Sequence, residues 1–212
     1  MKISEESISL LREKISERMS GKRLAHTLAV EKMAVRIGNI YCPERTDVLA
    51  AAALLHDITK EKTTEEHIAI CERYGAKYTN ENVAAPKTFH AITAAASIPV
   101  EFPELNDAEI ISAVRYHTTG REEMTLTEKI IYIADYIDET RTFPDCITLR
   151  EMFWGSDVES MSEAERLLHL DRVVLRSLEM TVADLIECGR VINSDTLAAK
   201  EYISKKVNNG EN

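Results

Sequence analysis

The amino-acid sequence predicts an all-α protein, and three observations support this prediction. Its 212 residues include only seven glycines and five prolines, so few positions interrupt regular structure. Apolar residues recur at helical spacing, as in Leu167, Leu170, Val174, Leu178 and Leu185, and no segment alternates in the way that is typical of a strand. Three segments also carry the Ser/Thr-x-x-Glu pattern of a helix N-terminus.

Capping residues and apolar spacing together define ten predicted helices. In the patterns that begin at Thr63, Thr125 and Ser162, the hydroxyl and the glutamate three residues later satisfy free backbone N–H groups reciprocally. Asn106 is a further predicted N-cap. Because glycine tolerates the left-handed conformation of a helix end, we expect helices to stop at Gly21, Gly75, Gly120 and Gly189. The predicted helices span residues 4–19, 22–38, 47–58, 64–74, 87–97, 107–117, 126–138, 145–153, 162–188 and 195–207.

These helices are expected to form a single structural unit with two parts. The candidate linker is Gly155-Ser156-Asp157. Residues 1–155 would form the core, and residues 156–212 would form a C-terminal helical extension packed on it, because the apolar stripe at 162–188 needs a partner surface. A chain of this length buries enough apolar surface to hold a core without disulfides or a structural metal.

Charge and apolar pattern argue against several classes of partner. The chain has 26 Lys and Arg against 36 Asp and Glu, which gives a formal net charge of −10. Proteins that bind nucleic acid or anionic membranes need clusters of positive charge. We therefore expect no nucleic-acid and no membrane partner, although a small anionic ligand needs only local positive charge. The longest apolar run, residues 48–55, is too short to span a membrane.

The start of the chain and its cysteines predict a cytoplasmic protein. Residues 1–6 are charged and lack the apolar segment of a signal peptide. The four cysteines are too sparse for a disulfide framework and suit a reducing compartment. We interpret all of them as small buried apolar residues; they are Cys42, Cys71, Cys146 and Cys188.

The predicted chemistry lies in histidine and aspartate residues with apolar neighbours. His56 and Asp57 follow the apolar run at residues 48–55, and Asp135 lies within the apolar segment 130–137. A buried carboxylate without a partner is costly, and a metal ion would supply such a partner. The two aspartates therefore predict a metal site.

Three further histidines complete a candidate ligand set. They lie in separate predicted helices or at their ends, so they can line the same cavity as the first three residues. Nitrogen and oxygen donors without sulfur suit iron, manganese, cobalt or catalytic zinc, and six side chains suit two metals. The predicted ligands are His26, His56, Asp57, His90, His117 and Asp135. The two remaining histidines are interpreted as outside this set, His67 as solvated and His169 as packed within an amphipathic helix.

Positive charge near the candidate ligands predicts contacts with a small anionic ligand. Lys60 lies four residues after His56, so a continued helix would place both on one face; the alternative is a lysine that meets the helix dipole. The segment Thr118-Thr119-Gly120-Arg121 follows His117 directly, and its hydroxyls, amides and guanidinium can hold an anionic group. Arg141 is interpreted equally as a contact to an anionic ligand and as an ion-pair partner at a helix end.

The ordered ligand set resembles the signature of the HD superfamily of metal-dependent phosphohydrolases. The signature residues are His26, His56-Asp57 and Asp135. His90 and His117 resemble the two extra ligands of the two-metal members of this superfamily.

A closer resemblance lies in longer segments of the chain. Residues 55–60, 115–121, 128–137 and 194–199 are similar to motifs of the bacterial YqeK family of symmetrical bis(5′-nucleosyl)-tetraphosphatases. The sequence departs from this family at residues 138–141, where Asp-Glu-Thr-Arg replaces Glu-Pro-Gly-Arg but retains the arginine.

The resemblance implies an HD-domain helical bundle that cleaves diadenosine tetraphosphate into two ADP. The attacking hydroxide would be activated by two transition metals, iron first, with manganese or cobalt as alternatives. Asp57 would bridge the metals, with His26, His56 and Asp135 on one metal and His90 and His117 on the other. Lys60 would act with Asp57 in catalysis and would also bind substrate. The other implied substrate contacts are Thr118, Thr119, Gly120, Arg121 and Arg141.

Two alternatives stay open at this point. The first is another HD nucleotide hydrolase, which would act on a mononucleotide or a cyclic dinucleotide. The second is a nucleotide-binding sensor or assembly factor without catalysis, in which the metals would serve structure. A small-molecule nucleotide is the expected partner in each case, and the sequence leaves the oligomeric state open.

Overall fold

The computed structural model describes residues 2–210, and the predicted all-α fold is confirmed in this part of the chain. Turns and two short 3₁₀ helices, Pro43–Arg45 and Pro103–Leu105, connect its α-helices, and no strand occurs among the described residues. The α-helices are α1 (Glu5–Ser16), α2 (Gly21–Tyr41), α3 (Thr46–Leu55), α4 (Thr64–Tyr74), α5 (Asn80–Ala84), α6 (Pro86–Glu101), α7 (Ala108–Tyr116), α8 (Leu126–Ile137), α9 (Pro144–Trp154), α10 (Glu163–Glu187) and α11 (Ser194–Gly210).

Helix α3 lies at the centre of the bundle. Every residue from Val48 to Leu55 is buried, because a helix that is apolar on all sides must be covered on all sides. Helices α1, α2, α7 and α8 pack around it. The helix ends at Leu55 rather than at the predicted residue 58, and His56 is its C-cap. His56 and Asp57 therefore stand where the central helix opens into a turn.

The capping predictions are mostly confirmed. Both reciprocal bonds of the capping box are present at Thr63, Thr125 and Ser162. Two other predicted caps are wrong. Gly21 begins α2 instead of ending a helix, because the Ser20 side chain accepts the N-terminal hydrogen bond. Asp107 rather than Asn106 caps α7, since its carboxylate accepts from the backbone of Glu109.

Two helical stretches lie outside the predicted ranges. Helix α5 is too short for an apolar period to reveal it, and the Thr79 and Asn82 side chains close its first turn. Helix α6 continues beyond the predicted end at residue 97 to Glu101 and contains Pro99. Packing of α6 against α4 and α7 outweighs the hydrogen bond that this proline cannot donate.

Helices α10 and α11 share the apolar core of the rest of the bundle. Val174 and Leu178 of α10 and Ala199 and Ile203 of α11 are fully buried in the same cluster as the residues of α3 and α8. The division of the chain at residue 155 stays a prediction. Among the described residues, no helix is both long enough and apolar enough to cross a membrane.

Gly120 lies in the turn after α7 and packs closely against the last helix, α11. Its φ angle of 65° lies in the left-handed region, and a Cβ atom there would be 3.0 Å from the Cβ of Ala199 and 3.1 Å from the Sδ of Met124. Gly75 at the end of α4 has a similar φ of 68°, but a Cβ at this position would meet no atom of the described residues within 4 Å.

We expect Gly120→Ala to lower the free energy of unfolding more than Gly75→Ala does. Both substitutions place a Cβ in the left-handed region, which costs about 1–2 kcal/mol. Gly120→Ala adds the cost of overpacking against α11, about 1–3 kcal/mol. Urea denaturation of the two variants measures the difference, and equal losses would contradict this account of Gly120.

The interpretation of the cysteines as buried residues is correct for three of the four. Cys42, Cys71 and Cys146 are buried, whereas Cys188 is exposed, so the prediction is wrong for this residue. Cys188 caps the end of α10, where the neighbouring Ile186 is also exposed because the helix extends beyond the packed core. All four are free thiols.

Candidate metal centre

The six predicted ligands converge from five helices and one turn into a buried cluster, called here the ligand cluster. Each of the six residues is buried. In several combinations of three, their nitrogen and oxygen atoms lie within 4.8 Å of one another. The cluster consists of His26 on α2, His56 at the end of α3, Asp57 in the following turn, His90 on α6, His117 at the end of α7 and Asp135 on α8.

Asp57 lies between two groups of histidines. Its Oδ1 atom is 2.9 Å from Nε2 of His90 and 3.7 Å from Nε2 of His117. Its Oδ2 atom faces the other way, 3.4 Å from Nε2 of His56 and 3.8 Å from Nε2 of His26. The two oxygens of one carboxylate thus serve separate halves of the ligand cluster.

The ends of α3 and α7 orient two of the histidines. The last carbonyl groups of a helix have no partner within it. Each of these two histidines directs its Nδ1 to such a carbonyl in its own helix. Nδ1 of His56 lies 2.6 Å from the carbonyl of Ala53, and Nδ1 of His117 lies 2.7 Å from the carbonyl of Val114. A carbonyl can only accept, so Nδ1 carries a proton, and Nε2 is the nitrogen that faces the ligand cluster.

The ligand cluster contains polar atoms that the rest of the described chain leaves unsatisfied. Nε2 of His56 is buried and has no hydrogen-bond partner among the described residues, and the buried Nε2 of His26 faces only carboxylate oxygens, Oδ1 of Asp135 at 2.9 Å and Oδ2 of Asp57 at 3.8 Å. A buried polar atom in this state is destabilising unless a ligand satisfies it. The donor set of imidazole nitrogens and carboxylate oxygens fits a divalent transition metal. These residues therefore form a candidate metal site.

Both carboxylates of the cluster are ionised at neutral pH. Burial would raise the pKa of Asp57, but the charge of His56 and hydrogen bonds from neighbouring histidines hold it well below its ordinary value. Burial would likewise raise the pKa of Asp135, but the charge of Arg141 and the hydrogen bond from His26 hold it well below the ordinary value. The oxygens are therefore in the form that binds cations.

The histidines differ in protonation. Burial and the charge of Lys60 lower the pKa of His90 to about 3, and burial lowers the pKa of His117. Burial also acts against the charged form of His26, but hydrogen bonds to Asp135 and Asp138 outweigh it and raise the pKa of His26 to about 9. At neutral pH His26 must therefore lose a proton before it can bind a metal.

Protein stripped of metal is expected to lose stability as the pH rises from about 6.5 to about 9. The pKa of His26 is about 9 in the fold against an ordinary value of 6.5. The stabilisation is complete below pH 6.5 and disappears as the folded protein loses this proton, up to about 3 kcal/mol. The lowered pKa of His90 makes the stability rise with pH instead, but only below pH 6.5. Urea unfolding in a chelator across this range measures the slope. His26→Gln should flatten it, and a flat wild-type curve would contradict the prediction.

Lys60 lies beside the ligand cluster although α3 does not continue to it. The expectation of a continuous helix is wrong: after His56 the chain turns, and the amide of Lys60 donates to the carbonyl of Asp57 at 3.0 Å. This turn brings Nζ to 3.2 Å from Nε2 of His90 and 3.9 Å from Oδ1 of Asp57. Burial lowers the pKa of Lys60.

Two arginines pair with the carboxylates of the ligand cluster. Nη1 of Arg23 donates to Oδ2 of Asp57 at 2.5 Å. Nη2 of Arg141 donates to Oδ1 of Asp135 at 2.5 Å, and its Nε donates to the Asp135 carbonyl at 2.9 Å. Sequence analysis missed Arg23. Its position three residues before His26 places both side chains on one face of α2 and was the available signal.

The turn after His117 uses most of its polar groups within the fold. The buried Thr119 hydroxyl donates to the carbonyl of Gly120 at 2.9 Å. The Arg121 guanidinium pairs with Glu128, at 3.0 and 3.1 Å from Nε to the two carboxylate oxygens, rather than with the ligand cluster. The Thr118 hydroxyl oxygen is buried and has no hydrogen-bond partner among the described residues.

The prediction of a solvated His67 is wrong. Its side chain is buried and its Nδ1 lies 2.8 Å from the hydroxyl of Thr93. That hydroxyl lies 2.8 Å from the hydroxyl of Thr59, which donates to the His90 carbonyl. Glu65 and Glu66 are exposed, but position 67 turns towards α6, which a sequence window cannot show. The packed interpretation of His169 is confirmed, since it is buried against Phe153.

Sequence analysis also missed Asp138. This residue directly follows α8, is fully buried, and forms a possible ligand group with His26 and Asp135. Its Oδ1 accepts hydrogen bonds from the backbone and the hydroxyl of Thr140. The signal was its position three residues after Asp135, at the point where the sequence departs from the family motif.

Comparison with known families identifies the class to which this fold and site belong. The HD domain family matches residues 23–140, which are more than half of the chain, and this range contains all six residues of the ligand cluster. The chain belongs to the HD domain family.

Individual relatives support a hydrolase. A protein of Staphylococcus aureus named symmetrical bis(5′-nucleosyl)-tetraphosphatase is 30% identical over 187 residues, which cover 88% of this chain and 89% of the relative. A Bacillus subtilis protein of the same name is 27% identical and covers 94% and 96% of the two chains. The crystal structure of a predicted HD superfamily hydrolase involved in NAD metabolism from Clostridium acetobutylicum has a TM-score of 0.81 and 29% identity, covering 97% of this chain and 100% of the other. The resemblance stated from the sequence is confirmed.

Proposed function

We propose that this protein hydrolyses dinucleoside tetraphosphates symmetrically, converting diadenosine tetraphosphate into two ADP. The observation that carries the proposal is the position of Asp57, whose two oxygens face separate groups of histidines. One carboxylate between two donor sets is an arrangement that suits a two-metal phosphohydrolase. The names of the relatives support the substrate class.

Asp57 would bridge a pair of transition metals. Its Oδ2 side would share one site with His26, His56 and Asp135, and its Oδ1 side would share the other with His90 and His117. We propose iron for both, with manganese or cobalt as alternatives, because the donors are imidazole and carboxylate without thiolate. When bound, such a pair lowers the pKa of water to supply a nucleophile and neutralises charge that develops on the phosphoryl oxygens.

The cations beside the ligand cluster would hold the polyphosphate. Lys60, Arg23 and Arg141 lie next to the two carboxylates, where phosphate oxygens would be their alternative partners once metals neutralise Asp57 and Asp135. This local positive charge would let an anionic substrate bind although the chain has a negative net charge. Lys60 is the proposed catalytic cation, because its Nζ lies beside both His90 and Asp57.

The substrate contacts proposed for residues 118–121 have unequal support. The hydroxyl of Thr118 has no hydrogen-bond partner in the described part of the chain and is an available donor. Arg121 would first have to leave Glu128, and Gly120 contributes close packing against Ala199. A nucleotide substrate and four free thiols agree with the proposed cytoplasmic location.

Product analysis tests the proposal. Protein loaded with iron or manganese is incubated with diadenosine tetraphosphate in water enriched in ¹⁸O. We expect ADP alone, with the label on the terminal phosphate of one ADP in each pair. ATP and AMP as primary products would reject symmetrical cleavage and leave an HD hydrolase of another specificity. Nucleotide binding by metal-loaded protein without any turnover would favour a non-catalytic sensor.

A further inference from the structure

His26 differs from His56 and His117 in where Nδ1 can find an acceptor. The latter two end their helices and use a free carbonyl three residues back, at 2.6 and 2.7 Å. His26 lies inside α2, where backbone carbonyls are committed to the helix. A partner that orients its imidazole must therefore come from another part of the chain.

Two groups from the turn after α8 face Nδ1 of His26, and both act as acceptors. Oδ2 of Asp138 lies 3.4 Å away; it is buried, makes no other hydrogen bond among the described residues, and as a carboxylate oxygen has no hydrogen to donate. The hydroxyl of Thr140 lies 3.3 Å away, but its hydrogen is directed to Oδ1 of Asp138. Nδ1 must therefore be the donor, which leaves Nε2 of neutral His26 with its lone pair.

We propose that Asp138 is a positioning residue, which accepts from Nδ1–H of His26 and so directs Nε2 to a metal. The inference deepens the proposed function, because it assumes that His26 is a ligand. Asp138 suits this role for two reasons. It is fully buried, and its Oδ1 is anchored by the backbone and hydroxyl of Thr140, so Oδ2 is held towards the imidazole. A carboxylate on the far nitrogen fixes the ring and makes the ligand more basic.

The substitution Asp138→Asn separates this role from simple packing. Asparagine has nearly the same shape, but only one of its two polar atoms can accept. The two donors of Thr140 would take the amide oxygen, so the amide nitrogen would face Nδ1 of His26 as a donor. Nδ1 would then face one donor and keep only the Thr140 hydroxyl, at 3.3 Å, as an acceptor. The tautomer equilibrium of neutral His26 would therefore shift towards a proton on Nε2, the atom that lies 2.9 Å from Asp135 and would bind the metal. A structural role alone would not change the tautomer.

Titration with Mn²⁺, followed by electron paramagnetic resonance of the free ion, measures the affinities of both sites. We expect Asp138→Asn to weaken one site by about 10- to 100-fold and to leave the other unchanged. The matched control is Asp171→Asn, which changes a buried carboxylate that pairs with Lys129 and Lys206 away from the ligand cluster. This control should keep both affinities, whatever its effect on thermal stability. Wild-type affinity at both sites in Asp138→Asn would overturn the inference.

A second measurement on the wild-type chain needs no variant. In zinc-loaded protein, ¹⁵N chemical shifts of the histidines should show His26 bound through Nε2 and protonated at Nδ1. Binding through Nδ1, or a deprotonated Nδ1, would overturn the inference even if Asp138→Asn fails to fold. Neither experiment uses a dinucleotide. If both succeed but diadenosine tetraphosphate is not cleaved, the proposed function fails and the role of Asp138 stands.

Discussion

Asp57→Asn is expected to remove metal from both sites and to reduce hydrolysis by more than about 100-fold. Even outer partners of metal ligands cost about 10- to 100-fold when replaced, and Asp57 is proposed to serve two metals directly. The amide retains the shape of the carboxylate but loses the charge that faces His56 and His90. Elemental analysis after dialysis and turnover of diadenosine tetraphosphate measure the two effects.

The matched control for this variant is Glu31→Gln. Glu31 is also a buried carboxylate paired with an arginine, since Nη2 of Arg12 lies 2.7 Å from its Oε1. Glu31 lies on α2, as His26 does, but does not belong to the ligand cluster. We expect it to lose stability without losing metal. Full metal content in Asp57→Asn would refute the bridging role, and loss of metal in Glu31→Gln would show that the effect is not specific to the cluster.

Lys60→Ala is expected to lower kcat by about 100- to 1000-fold and to change KM much less. A cation beside the ligand cluster stabilises charge that develops on phosphate in the transition state, and such groups contribute mainly to kcat. Its Nζ lies beside His90 and Asp57, on a side chain that is only partly exposed. Steady-state kinetics with saturating metal measure the effect.

Lys62→Ala is the control for Lys60→Ala. Lys62 lies two residues further along the same turn, but its side chain is partly exposed and pairs with Glu66 at 3.0 Å. An exposed pair of this kind contributes little to stability, and we expect kinetics close to those of the wild type. An equal decrease of kcat in both variants would indicate a general effect of charge. An increase of KM alone in Lys60→Ala would make Lys60 a binding residue without a catalytic role.

The sequence by itself determined the helical class and many of the helix ends. Capping boxes such as those at Thr63 and Thr125 involve atoms only three residues apart, so a short window contains all the interacting groups. The composition of the ligand cluster was predictable for a similar reason. A carboxylate such as Asp135 within an apolar segment has a cost of burial that the sequence alone reveals.

Tertiary packing decided what depends on groups far apart in the chain. His67 has charged neighbours in sequence, but its buried position depends on Thr93 of another helix. Arg121 lies shortly after the predicted ligand His117 in the sequence, but its guanidinium forms an ion pair with the buried Glu128.

The sequence alone also could not predict how the side chains of the candidate ligands are oriented. His26 meets Asp138 across 112 positions of the chain, and Arg23 meets Asp57 across 34. Hydrogen bonds and ion pairs depend on distances of a few tenths of an ångström and on direction. The cost of burying the charges of Asp57 and Asp135 pointed to a metal site from the sequence. The hydrogen-bond and ion-pair partners of the candidate ligands depend on helix packing, which brings these distant residues into contact.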